Sequence, residues 1–406
     1  MATTTRLEKT ETALLFTMGM AIFLSKPAIY LVSLLLLVLT VLRLVTNQNY
    51  RREVFNKRLF WASTGLFFLG VAATAIGSSH PDDVGWMAKK TMLLPMAVPF
   101  LIAFAQPINR TAGLSGVLVG FWIAFVLTGN MHNWSWHGGR LQGATWLVDA
   151  WGVICAMLLA FLTPLAFMTS QKKNWRIVLA FTILAALIIL ITTGARGAWL
   201  GVACGVFLFL LAKHRSRLIF LSLAGVFAVL ASSMIWPNQT DAFKSRIASI
   251  GDINNNASNY VRLALWETGV ELIKNKFHAA DSSFWVGMGH EGHVESSTEF
   301  YRNDFGSRAT VRPGLLDETL INDFHNMYIQ SIIQNGILWT AGILIFLTSL
   351  CIGQKTRKFK DLLRWESIPS VVNFLVIGIT YTVLPHFAFM FLIYFLTLIR
   401  GYENRN

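Results

Sequence analysis

What most constrains this chain is a repeated pattern: long apolar runs, nearly free of charge, recur from one end to the other. A helix crosses a bilayer with roughly 17 to 25 apolar residues. Runs that meet or approach that length lie at 12–25, 28–46, 59–77, 91–106, 112–129, 146–169, 176–193, 198–212, 217–236, 326–352, 367–382 and 385–399. Only 14% of residues are charged and 54% are hydrophobic, whereas a soluble chain carries about a quarter charged residues. The pattern predicts an all-α polytopic membrane protein with about 12 transmembrane helices. The stretch 368–399 reads either as two short spans reversing at Pro385 or as one helix kinked there.

The net charge of +13 would suit a nucleic-acid partner, but its distribution excludes that reading. With twelve spans, 21 of the 34 Lys and Arg residues fall on the side that holds both termini. By the positive-inside rule that side is cytoplasmic. The short loops opposite hold five: Lys26, Lys89, Lys90, Arg140 and Arg196. The remaining eight lie in the long segment 237–325, and long loops report orientation poorly. The organisation expected is a membrane domain over 1–236 (spans 1 to 9) and an outer loop over 237–325. A second membrane portion follows over 326–406, with spans 10 to 12 and a cytoplasmic tail. The first run has no small-residue cleavage site after it and reads as a retained span. Cys155, Cys204 and Cys351 all lie in apolar runs, which argues against disulfides and thiolate metal sites.

Loops as long as 237–325 usually carry function. Here "SNYVRLALWETGVELIKNKF" has Leu263, Trp266, Val270 and Ile273 at helical spacing, with Ser258 or Asn259 as candidate caps. "FWVGMGHEGHVESS" follows as a glycine-rich turn region. Its His290, Glu291, His293 and Glu295 are loosely spaced with no helix to fix them, so no metal site is expected.

Three residues stand out for chemistry. Arg196 sits in "ITTGARGAWLGV", a minimal outer turn from Gly194 to Gly197 between two spans. A charge at membrane depth is costly and marks a site or pathway by default. The next helix opens there, and its free amides favour an anion. The alternative is an arginine snorkelling to the headgroups. Arg262 lies beside the apolar stripe of the loop helix, where it is aimed at the bilayer surface or left in solvent. His325, in "LINDFHNMYIQSIIQNG", is read in the first turn of a long span with Asn322 or Asp323 as cap. The helix dipole there favours a neutral ring able to accept a hydroxyl proton. Arg140, Gly194, Gly197 and Asn326 are candidates for further substrate contacts. Asp149, early in the sixth run, pairs with Arg140 or lines a cavity, and in a transporter it would be the proton-coupling suspect.

The order of "TGARGAWLG", "NYVRLALWETGVELI" and "HNMYIQSIIQNGI" around one large outer loop resembles the bacterial O-antigen ligase and polymerase superfamily, from about Leu179 to Ile352. The resemblance implies a C-type glycosyltransferase-like membrane enzyme. Such an enzyme moves a glycan from undecaprenyl diphosphate onto an acceptor, lipid A-core in the ligases, at the periplasmic face of the bacterial inner membrane. It implies that Arg196 and Arg262 hold the donor diphosphate and that His325 activates the acceptor hydroxyl. It further implies an inverting transfer that uses no cofactor and no metal. Membrane lipids are the remaining partner. Within the superfamily the single dominant loop favours a ligase over a Wzy-type polymerase, and the short tail favours it over a protein O-oligosaccharyltransferase. A transporter is the alternative from another class.

Overall fold

In hydrocarbon every backbone N–H and C=O must be paired within the protein, and helices do this locally. The computed structural model describes residues 2–132, 140–168, 173–216, 248, 257–311, 315–316, 320–352, 364–384 and 387–403. Its regular elements are helical, with no β-strand among the described residues. The chain runs through α1 (Ala2–Leu24), α2 (Lys26–Thr46), α3 (Gln48–Phe55), α4 (Arg58–Gly77), α5 (Asp82–Thr91), α6 (Ala97–Ala105), α7 (Pro107–His132), α8 (Val148–Phe167), α9 (Lys173–Thr193) and α10 (Arg196–Lys213). It continues with α11 (Ala257–His278), α12 (Ser282–Val286), α13 (Gly292–Phe300), α14 (Met327–Leu350), α15 (Ile368–Ile377) and α16 (Phe387–Glu403). Among the described residues, seven helices are long and apolar enough to cross a membrane: α2, α4, α7, α8, α9, α10 and α14.

The helices sort into a packed centre and a greasy rim. Trp151, Cys155, Leu158, Phe161 and Leu162 of α8 are buried, as are Phe389, Met390, Phe395 and Ile399 of α16. Leu34, Val45, Phe68, Ile76, Phe181 and Leu200 instead stand fully outward, a distribution stable only against lipid. Small residues let the helices approach closely. A Cβ on Gly116 would lie 2.1 Å from the Phe16 carbonyl, binding α7 to α1. On Gly201 and Gly205 it would lie 2.6 Å from Asn373 Oδ1 and 2.5 Å from the Pro369 carbonyl, binding α10 to α15.

Two apolar runs differ from expectation. The run 91–106 is not one helix, because α5 ends at Thr91 and only α6 follows, nine residues long. Pro95 lacks an N–H and disfavours helical geometry at Leu94, so 92–96 turns instead. The run 367–399 is two helices, with 378–384 forming a non-helical turn between them. Pro385 itself, the candidate span 217–236 and the tryptophans of 133–139 lie outside the described residues.

The described part of the long segment 237–325 has its own small core. Ala264, Leu265 and Leu272 of α11 pack with Phe300, Tyr301, Phe305, Leu316, Ile321 and Phe324, and with Ile329 and Ile333 of α14. Of the Leu263–Trp266–Val270–Ile273 stripe, Trp266 and Ile273 pack against this core, whereas Val270 is exposed. Gly269 lets the helix lie close against Ile329 and Phe324. Helix α11 already includes Ser258 and Asn259, so neither is the residue just outside its start. Glu267 accepts from the Thr310 and Val311 amides at 2.9 and 3.0 Å, fastening that segment to α11. "GHVESS" is helical within α13.

Candidate functional site

The site is assembled at one end of the bundle around the turn 378–384. Helix α14 docks on this turn through its start: the Met327 amide donates to the Gly378 carbonyl at 2.7 Å, and Asn326 Nδ2 to the Ile379 carbonyl at 3.2 Å. Asn326 is also the N-cap of α14, its Oδ1 accepting from the Tyr328 and Ile329 amides at 3.0 and 3.2 Å. Neither Asn322 nor Asp323 caps the helix, and His325 lies one residue before the cap instead of in the first turn.

His325 is held in an unusual backbone state. Its φ is +50°, in the left-handed region that costs a side-chain-bearing residue about 1 kcal/mol. The two residues before it fix it. Asp323 Oδ1 accepts from the His325 amide at 2.6 Å and from the Thr382 hydroxyl. The Phe324 amide donates to Gln330 Oε1 at 2.9 Å. The ring is half-exposed, with Nδ1 3.8 Å from Asp323 Oδ2. A buried histidine locks the arrangement from behind. Because Gln330 Oε1 is used by Phe324, its Nε2 donates to His293 Nε2 at 2.8 Å. His293 Nδ1 faces the His290 carbonyl, and its Nε2 also lies 3.1 Å from the Asn322 carbonyl. Burial pushes its pKa below the usual histidine value.

The arginines approach the same turn from other elements. Arg262 of α11 lies over the Tyr381 ring, 5.6 Å from its centroid. The Tyr381 hydroxyl donates to Asp149 Oδ1 at 3.3 Å, and Asp149 pairs with Arg140. Burial, reinforced by Asp149, pushes the Tyr381 hydroxyl up to about 12, so it stays a donor. Arg140 Nε also donates to the Thr193 carbonyl at 2.8 Å, and the Leu141 amide to the Thr192 carbonyl at 3.0 Å. These bonds lay segment 140–141 against the end of α9.

Gly194 follows there with φ +64°, a turn conformation that suits glycine. Arg196 is the first residue of α10, so the reversal is Gly194–Ala195. Ala195, at the N-cap, has no side chain to satisfy the first-turn amides, which leaves the helix end suited to an anion. Gly197 lies inside the helix, where a Cβ would meet Thr380 Oγ1 at 1.8 Å and Tyr381 at 2.9 Å. Its smallness lets α10 touch the turn.

One turn thus brings together Arg262, His325, Asn326, Gly197 and the start of α10, with Arg140 one residue contact away. Sequence reasoning missed Tyr381, Thr382 and Gln330, and it read Asp323 as a helix cap, whereas Asp323 holds the His325 amide and the Thr382 hydroxyl. The polar "TYT" between two short apolar runs was the available signal. Among the described residues no group of three His, Cys, Asp or Glu side chains is placed to hold a metal.

Residues 179–347 match the protein family described as O-antigen ligase. A Haemophilus influenzae chain described as "Uncharacterized protein" is 27% identical over 192 residues. That match covers 44% of this chain and 44% of the relative, so the chain spans less than half the relative's length. No solved structure matches. The matched segment runs from α9 into α14 and contains Gly194, Arg196, Gly197, Arg262, His325 and Asn326, so the likeness to the O-antigen ligase family covers the residues gathered at the site.

Proposed function

We propose that the protein is an O-antigen ligase. It transfers polysaccharide from undecaprenyl diphosphate to a hydroxyl of lipid A-core at the periplasmic face of the inner membrane. The observation that carries this reading is the convergence of Arg262, the start of α10 and His325 on the 378–384 turn. Cleaving a glycosyl-diphosphate bond builds negative charge on the departing lipid diphosphate. Arg196, Arg262 and the first amides of α10 stabilise that charge, and the guanidinium fork suits phosphate oxygens. His325 takes the proton from the acceptor hydroxyl as its oxygen attacks the anomeric carbon from the face opposite the diphosphate, giving inversion. Asp323 positions His325, and Asp149 positions Arg140. Each of these steps uses the chain's own side chains and no metal.

The long outer segment favours transfer between large substrates over transport, in which Asp149 would be a proton carrier. Its pairing with Arg140 gives it a structural task instead. Deleting the gene separates ligase from polymerase. Loss of a ligase leaves polymerised O-antigen on the lipid carrier. Single repeats attached to core would instead identify a polymerase and refute the proposal.

A further inference from the structure

Five basic residues lie in the short outer loops, where the positive-inside rule expects few. Arg140 and Arg196 belong to the site just described. The other three, Lys26, Lys89 and Lys90, come from two separate loops and meet at one corner of the same face. Lys89 Nζ lies 4.1 Å from the centre of the Tyr30 ring, Lys90 Nζ 4.2 Å from that of Phe387, and Lys26 Nζ 5.0 Å from that of Trp146. The rings are continuous, with Phe387 5.1 Å from Tyr30 and 5.3 Å from Trp146.

This arrangement is electrostatically unfavourable by itself. None of the three ammonium groups has a carboxylate partner among the described residues. Burial, with Lys89 and Lys26 nearby, pushes the pKa of Lys90 down to about 8. Lys26 opens α2, where the helix dipole also disfavours a cation. Cation–π contact with the rings offsets part of this cost, but a ring cannot neutralise charge. An anion can, and the exposed Lys89 leaves a way in. The corner is tied to the site: Trp86, 5.9 Å from Lys90, stacks on His290 at 4.4 Å, next to the His293–Gln330–Phe324 chain behind His325.

We propose that Lys26, Lys89 and Lys90, framed by Tyr30, Trp86 and Phe387, form a second anion site, which holds a phosphate group carried by a membrane-borne glycolipid. Lysines suit this role because an ammonium binds phosphate as a point charge without the planar fork of arginine. The apolar rings suit a lipid headgroup at the membrane surface. That this glycolipid is the acceptor of the transfer rests on the ligase reading; the phosphate site itself does not.

The test is a binding measurement on the purified full chain in detergent, with two probes: an acylated glucosamine disaccharide bearing two phosphomonoesters, and the same lipid without phosphates. The phosphorylated lipid is expected to bind at least about tenfold tighter. Lys26→Gln/Lys89→Gln/Lys90→Gln should abolish that difference while leaving the phosphate-free lipid unchanged. His325→Ala should leave both affinities unchanged, so loss of transfer and loss of this site are read separately. Should the triple variant unfold, Lys89→Glu alone decides, because Lys89 is exposed, and it should still weaken the phosphorylated lipid. Full discrimination retained by the folded triple variant, or by Lys89→Glu when that variant decides, overturns the proposal. So does displacement of the lipid by an equal concentration of inorganic phosphate, which would make this a free-phosphate site.

Discussion

At the scale of single residues, His325 is the most informative position, because its chemistry and its backbone make separate demands. Asparagine tolerates the left-handed region but cannot act as a base. His325→Asn is therefore expected to keep the melting temperature within a few degrees of wild type while transfer falls by about a hundredfold or more. Thermal unfolding beside a transfer assay checks both halves, and an active His325→Asn would remove the base from the mechanism. Arg262→Lys keeps the charge over Tyr381 but loses the fork, so transfer should drop by about tenfold or more with the fold intact. Near-wild-type transfer would mean that Arg262 only positions α11. The sequence made these two residues legible because each stands beside a recognisable helix. It hid Tyr381, whose partners Asp149 and Arg262 come from α8 and α11, each more than a hundred positions away. It also misplaced the start of α14: "NDFHN" offers three capping residues, and only the docking of Asn326 on Ile379 selects among them.

At the scale of elements, two contacts position the site. Helix α10 reaches the 378–384 turn because glycines bring it against α15. Gly201→Val would drive a branched side chain into Asn373 and Ile377, costing about 1 to 3 kcal/mol by overpacking. The readout is a lower melting temperature in detergent, and an unchanged one would mean that the two helices have room to separate. The small core of segment 237–325 is the second contact, and beside it lies the buried His293. Its folded pKa lies below the unfolded value of 6.5, so the unfolded chain binds the proton more readily. Stability from this group is complete above about pH 6.5 and is lost as pH falls below that. Unfolding followed between pH 7.5 and pH 5 should show this decline, with a shallower slope in His293→Asn. An equal slope would place the acid sensitivity elsewhere. The 3.6-residue spacing made α11 legible as a helix and gave part of the face it buries: Trp266 and Ile273 pack on the core beside Leu265 and Leu272, while Val270 is exposed and Gly269 meets Ile329 and Phe324.

At the scale of the molecule, hydrophobic runs and loop charges were enough to show a polytopic helical protein and to bring Arg140, Arg196 and His325 to one face. The run 91–106 reads as a span by composition alone, since a proline-driven break changes geometry without changing hydropathy. What the whole fold adds is convergence. Elements far apart in the chain meet at a seven-residue turn that no motif marks, and the proposed glycosyl transfer from a lipid diphosphate would give those meetings one purpose. The most direct measurement of that claim is lipopolysaccharide banding in cells that lack the chromosomal gene and carry either the wild-type chain or His325→Asn at equal membrane levels. The wild-type chain should restore the full O-antigen ladder, and His325→Asn should leave bare lipid A-core with polymerised O-antigen on its lipid carrier. A complete ladder from His325→Asn would contradict the account.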